Sequence, residues 1–93
     1  MPYIHDYDRD VIDRAIAPLA DIVFETGEYN YAITKLCQEF LVWLQAADNI
    51  NQRGGYDARN TVIGLLECVK LEFYRREVAE YEDEKCVQNG DVY

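Results

Sequence analysis

The sequence predicts an all-α fold: a three-helix domain with a long third helix, assembled as a homo-oligomer. Three observations predict it. Apolar residues recur with helical spacing in three separate stretches. Turn-forming residues punctuate the chain between them, Gly27 after the first and Gly54-Gly55 before the third. The third stretch is apolar on two opposite sides, more than two neighbouring helices can cover.

The first helix is placed within residues 8–25, where Ile12, Ala15, Ile16, Leu19, Val23 and Phe24 share the spacing. Asp8 or Asp13 would cap it. Pro18 falls near the first turn if Asp13 is the cap and kinks the helix if Asp8 is. Gly27 would end it. The second helix follows from Asn30 as cap, with Ile33, Leu36, Cys37, Phe40, Leu41 and Leu44 in one unbroken stripe. Val42 and Trp43 lie off that stripe and add a second apolar surface. Residues 48–56, "DNINQRGGY", read as a polar loop.

The third helix is predicted to start near Asp57, with Tyr56 as a hydrophobic staple, and to run to about residue 80 or a little beyond. Val62, Leu65, Leu66, Val69 and Phe73 make one face. Gly64, Cys68, Leu71 and Val78 fall on the other side at about 100° per residue. These four are the expected oligomer interface, with Gly64 admitting a second backbone. The tail "CVQNGDVY" turns at Asn89-Gly90 and ends in Val92 and Tyr93, which could dock on a neighbour. The domain therefore spans 1–93, with 1–7 as lead-in and 86–93 as tail.

Composition narrows the function. Eighteen acids stand against nine bases, a net charge of −9. That charge repels phosphate backbones, so general nucleic-acid binding is disfavoured and a basic partner is favoured. Hydrophobic residues make up 49% of the chain, too many for disorder, yet no apolar run is long enough to span a bilayer. The N-terminus lacks the pattern of a signal peptide. Cys37, Cys68 and Cys86 are odd in number and show no CxxC spacing, so they read as reduced cytoplasmic thiols. Cys37 and Cys68 are expected in the core and Cys86 at the surface.

No enzyme signature is present. "DYDRD" begins like a calcium loop, but Val11 and Ala17 occupy the positions that require Gly and Glu. His5 is the only histidine. The acids of the third helix face only Glu39 on the second, so a paired acidic magnesium motif is missing. No catalytic residue, metal or cofactor is expected.

The stretch with the most chemistry is "KLEFYRREVAEYEDEK", residues 70–85. It gathers Lys70, Arg75, Arg76 and Lys85 beside Phe73, Tyr74 and Tyr81 in an otherwise acidic chain. One account is ion pairing with nearby glutamates, such as Glu72–Arg76. The sharper account is a recessed anion site at a subunit interface. Arginine forks match phosphate and tyrosine stacks on a base, so Lys70, Tyr74, Arg75, Arg76, Tyr81 and Lys85 are the candidate ligand-binding residues.

"IGLLECVKLEFYRREVAEYEDEKCVQNGDVY" at 63–93, with "MPYI" at the start and "NYAITKL" at 30–36, resembles a small uncharacterised family of tailed phages and some bacteria. The family usually shows proline where this chain has Glu80. The resemblance implies a phage or prophage context, hence the host cytoplasm, and carries no established activity. Two functional expectations follow. The first is a non-catalytic homo-oligomer that sequesters a small nucleotide-like ligand, countering host defence signalling. The alternative is an acidic interaction protein that masks a host protein, for instance as a DNA mimic.

Overall fold

A computed structural model describes residues 4–48 and 54–90 of the chain. Among the described residues every regular element is helical: α1 (Asp6–Ala20), α2 (Thr26–Asp48), α3 (Gly54–Phe73), a π-helical segment (Tyr74–Val78) and α4 (Ala79–Asn89). The last three run on without a break, so they form the long third helix the sequence predicts. The chain groups into two compact units, Met1–Gln38 and Glu39–Tyr93.

In the first unit, α1 begins and ends earlier than expected. His5 is the N-cap, with extended φ −60 and ψ 148 and no capping hydrogen bond from its side chain. Neither Asp8 nor Asp13 is the cap. Asp6 and Asp8 instead occupy the first turn, where negative charge meets the positive end of the helix dipole. The predicted lead-in is correspondingly shorter. Pro18 lies inside the helix, close to its end.

Gly27 does not terminate α1; it lies in the first turn of α2. The reason is a side chain. The Glu28 carboxylate accepts hydrogen bonds from the backbone N–H groups of Phe24 (2.8 Å) and Glu25 (2.9 Å). These donors are the orphans of a helix start, and Glu28 sits three residues after Glu25, as in one half of a capping box. α1 has already closed before Phe24 and Glu25, with Asp21 as its C-cap. Asn30 is accordingly an interior residue of α2, not its cap.

In the second unit the most buried side chains are Ala58, 3% exposed, and Val62, 8% exposed, both on α3. Phe40, Leu41 and Leu44 of the predicted α2 stripe are half-buried, and Phe40 stacks on Trp43 with ring centroids 6.4 Å apart. Val42 and Trp43 are exposed. Of the predicted polar loop, 49–53 lie outside the described residues, and α3 starts at Gly54, three residues before Asp57. Tyr56 is exposed and makes no staple. The predicted end near residue 80 is also too early. The helix continues to Asn89, where Gly90 takes φ 85 and donates its N–H to the Cys86 carbonyl at 2.9 Å. A positive φ there suits glycine and closes the helix. Val92 and Tyr93 lie outside the described residues.

No helix among the described residues is long and apolar enough to cross a membrane.

Candidate functional site

The cation-rich stretch lies across the π segment, and that segment decides which of its side chains meet. A π turn closes i→i+5, and here the Ala79 N–H bonds the Tyr74 carbonyl. It acts as one residue inserted into an α-helix, so everything beyond it is set back by about 100°. In an unbroken α-helix, residues eight apart are about 80° out of line. With the insertion they come nearly into line. The Tyr74 hydroxyl accordingly donates to Glu82 Oε2 at 2.7 Å, eight residues on. This bond pushes the Tyr74 phenol above its ordinary value of 10.0.

The insertion also overturns one grouping expected from the sequence. Val78 was placed with Gly64, Cys68 and Leu71. Seven residues after Leu71 it would share that side of a regular helix, but the π turn swings it about 120° away, toward Phe73. Burial agrees: Val78 is half-buried, whereas Gly64, Cys68 and Leu71 are exposed. A Cβ added at Gly64 meets nothing within 4 Å. The expected burial of Cys68 is likewise not found. Cys37 is half-buried, and Cys86 is exposed as predicted.

The cations are held by their own helix. Lys70 pairs with Glu67 at 2.9 Å. Glu72 is the hub the sequence reading only half identified. Arg76 Nε donates to its Oε1, and Arg75 Nη2 lies 3.0 and 2.9 Å from its two oxygens. These two guanidinium groups, Arg76 foremost, hold the Glu72 carboxyl below its ordinary value of 4.5. Lys85 sits 5.5 Å from the Tyr81 ring centroid and 3.4 Å from Gln88 Oε1. The arrangement brings Tyr74 to Glu82, Arg75 and Arg76 to Glu72, and Lys85 to Tyr81. It does not converge all six predicted ligand residues on one point, and Tyr74 and Tyr81 are exposed. An incoming phosphate would have to displace Glu72 from both arginines.

The Glu72–Arg76 pair was legible from spacing. The Tyr74–Glu82 bond was not, because only the π turn brings the two together. Elsewhere, Asp6 pairs with Arg9, and Asp10 with Arg14, so two of the three acids of "DYDRD" serve helix-surface pairs. A second cation–π contact, Lys35 over Tyr31 at 5.6 Å, lies on α2. No cluster of His, Cys, Asp and Glu suited to a metal occurs among the described residues.

Neither the curated proteins nor the solved structures contain a match to the chain. One family profile does match, over residues 1–92, and its description is a domain of unknown function, DUF6899. A match of that extent covers both compact units, the π segment and the cation-rich stretch together, and the chain belongs to the DUF6899 family.

Proposed function

We propose that the protein is a non-catalytic interaction protein that presents an acidic helical surface to a basic surface of another protein. One observation carries this reading. The cations of 70–85 are engaged by side chains of their own helix, while Glu77, Glu80, Asp83 and Glu84 join none of the ion pairs among the described residues. Beyond the π segment Glu80, Glu82, Asp83 and Glu84 stand against the single cation Lys85, so the helix offers a net negative charge there. Acidic surfaces of this kind steer basic partners and set specificity more than they add affinity. In a phage or prophage setting the partner would be a host protein, and a DNA-binding host protein fits the charge best.

The test is a native mass spectrum of the protein recovered from host lysate at low and at high salt. The expected result is a protein partner retained at low salt, released at high salt, and lost with Glu80→Lys/Glu84→Lys. Retention of a small anionic molecule, abolished by Arg76→Ala, would replace this reading with nucleotide sequestration and defence antagonism. Calorimetric titration with mono-, di- and cyclic nucleotides gives the same decision from the other side.

A further inference from the structure

We propose that the partner meets this chain as a basic amphipathic helix. Its apolar face lies along a seam of Val69, Phe73, Val78 and Tyr81, and its lysines and arginines lie against the acids on either side. This inference rests on the interaction reading above and adds to it the form of the partner segment and the residues it covers.

The apolar stripe of the third helix starts at Ala58 and Val62, which are buried within the chain. From Val69 onward it is uncovered: Val69 is 54% exposed, Phe73 62% and Tyr81 57%, with Val78 half-buried. In a regular α-helix the stripe would end at Phe73, because the next positions in line are Arg76, Glu77, Glu80 and Glu84. The π turn changes this. It brings Val78 to within about 40° of Phe73 and Tyr81 to within about 20°. The same shift moves Glu80 and Glu84 to about 120° and 80° on one side of the line, and sets Glu82 about 80° out on the other. An apolar seam with acids along both edges results. Lys85 falls nearly in line and closes its far end, 5.5 Å from the Tyr81 ring centroid.

Charge selects the occupant. Upstream of the π turn the cations are balanced within the helix, Lys70 by Glu67 and both arginines by Glu72. Downstream, Glu80, Glu82 and Glu84 edge the seam and stand against Lys85 alone. A second copy would bring the same acids to the same place. Nucleic acid or an anionic lipid surface would bring phosphates. Each sets like charge against like at short range. A helix with apolar anchors and basic flanks matches both features at once: the anchors cover the seam, and the flanking cations meet the acids on either side. Length fits as well. Val69 to Tyr81 spans roughly 18 Å, about three helical turns, which is the reach of anchors at i, i+3, i+4 and i+7 with one turn to spare.

The test titrates two synthetic peptides of identical Leu, Lys and Ala composition into the full chain by calorimetry. One sets its leucines at i, i+3, i+4 and i+7 with lysines on both flanks. The other scatters the same leucines around the helix. The striped peptide is expected to bind at least about tenfold tighter than the scattered one. Phe73→Ser and Tyr81→Ser should each weaken the striped peptide by about tenfold or more and leave the scattered one unchanged, with helicity by circular dichroism retained. Glu80→Lys/Glu84→Lys should weaken both. Equal affinity for the two peptides, lowered by Glu80→Lys/Glu84→Lys and untouched by Phe73→Ser, would overturn this inference and leave the acidic-surface reading standing. Binding of neither peptide would overturn both. A wild-type dimer in sedimentation that Phe73→Ser dissociates and neither peptide disrupts would give the seam to a second copy, and would overturn the inference as well.

Discussion

Gly64 is the residue at which two readings of the protein part company. It sits mid-helix on α3, and a Cβ built there meets nothing within 4 Å. Glycine in a helix interior is less stable than alanine by about 0.8–1 kcal/mol. Gly64→Ala is therefore expected to stabilise the fold by that amount in thermal or urea melts and to leave the assembly unchanged. A second helix packed on Gly64, as the sequence alone suggested, would produce the opposite result. Val62 behaves differently because it is buried. Removing its two methyl groups in Val62→Ala is expected to cost about 2 kcal/mol, read from the shift in the urea midpoint. Glu72 gives a pH signature. Its carboxyl lies below 4.5 when folded, because Arg76 and then Arg75 hold the charged form. The group therefore adds stability above its unfolded value, and that contribution is lost as pH falls through the depressed folded value. Carboxyl titration by NMR should show Glu72 moving back toward 4.5 in Arg76→Ala.

At the scale of the element, the π segment is the feature that spacing could not reveal. The helical regions were legible because their apolar residues repeat at 3.6, as the α2 stripe from Cys37 to Leu44 shows. The boundaries were less so. The end of α1 was misplaced because the helix already closes at Asp21, whose N–H bonds the Ala17 carbonyl, while Phe24 and Glu25 belong to the start of α2, where Glu28 reaches back to them. Val78 was assigned to the wrong side because any projection at 100° per residue assumes an unbroken helix. Of the candidate site, the local pairs of Glu67 with Lys70 and Glu72 with Arg76 could be read from i,i+3 and i,i+4 spacing; the Tyr74–Glu82 bond could not. That bond is also the testable clasp of the π segment. Tyr74→Phe should lower the melting temperature slightly below pH 10 and remove a tyrosine that ionises above its ordinary value from the alkaline absorbance curve. The sign follows from the raised phenol: the stabilising contribution is present below the unfolded value and lost as pH climbs through the folded one. Proline supplies a second test. In a regular helix interior it costs about 3 kcal/mol, largely by clashing with the carbonyl four residues back. For position 80 that carbonyl belongs to Arg76, inside the widened turn. Glu80→Pro is thus expected to cost well under that figure in thermal melts.

At the scale of the molecule, little is deeply buried. Among the described residues only Ala58 and Val62 are less than a tenth exposed. Small domains with so modest a core commonly draw stability from association. A net charge of −9 opposes it by mutual repulsion, and salt screens that repulsion within about 10 Å at 0.1 M. Capture of a basic partner, which relies on charge of opposite sign, is expected to weaken as salt rises from about 50 to about 500 mM, on the order of the range in which exposed charges lose their reach. Sedimentation of the captured complex across that range checks it.

The π turn also makes this helix vulnerable to an unusual genetic lesion. Deleting one residue between Tyr74 and Val78 would heal the hydrogen-bond ladder into an ordinary α-helix, and a peptide of that sequence would be the more helical for it. Within the protein, the loss would rotate all of α4 by about 100°. Val78 and Tyr81 would leave the line of Phe73, acids would take their place, and Glu82 would swing out of reach of Tyr74. A shortened chain would then keep its circular dichroism and lose the Tyr74–Glu82 bond, so that reading-frame-preserving deletions here separate the helix as a secondary structure from the helix as a surface.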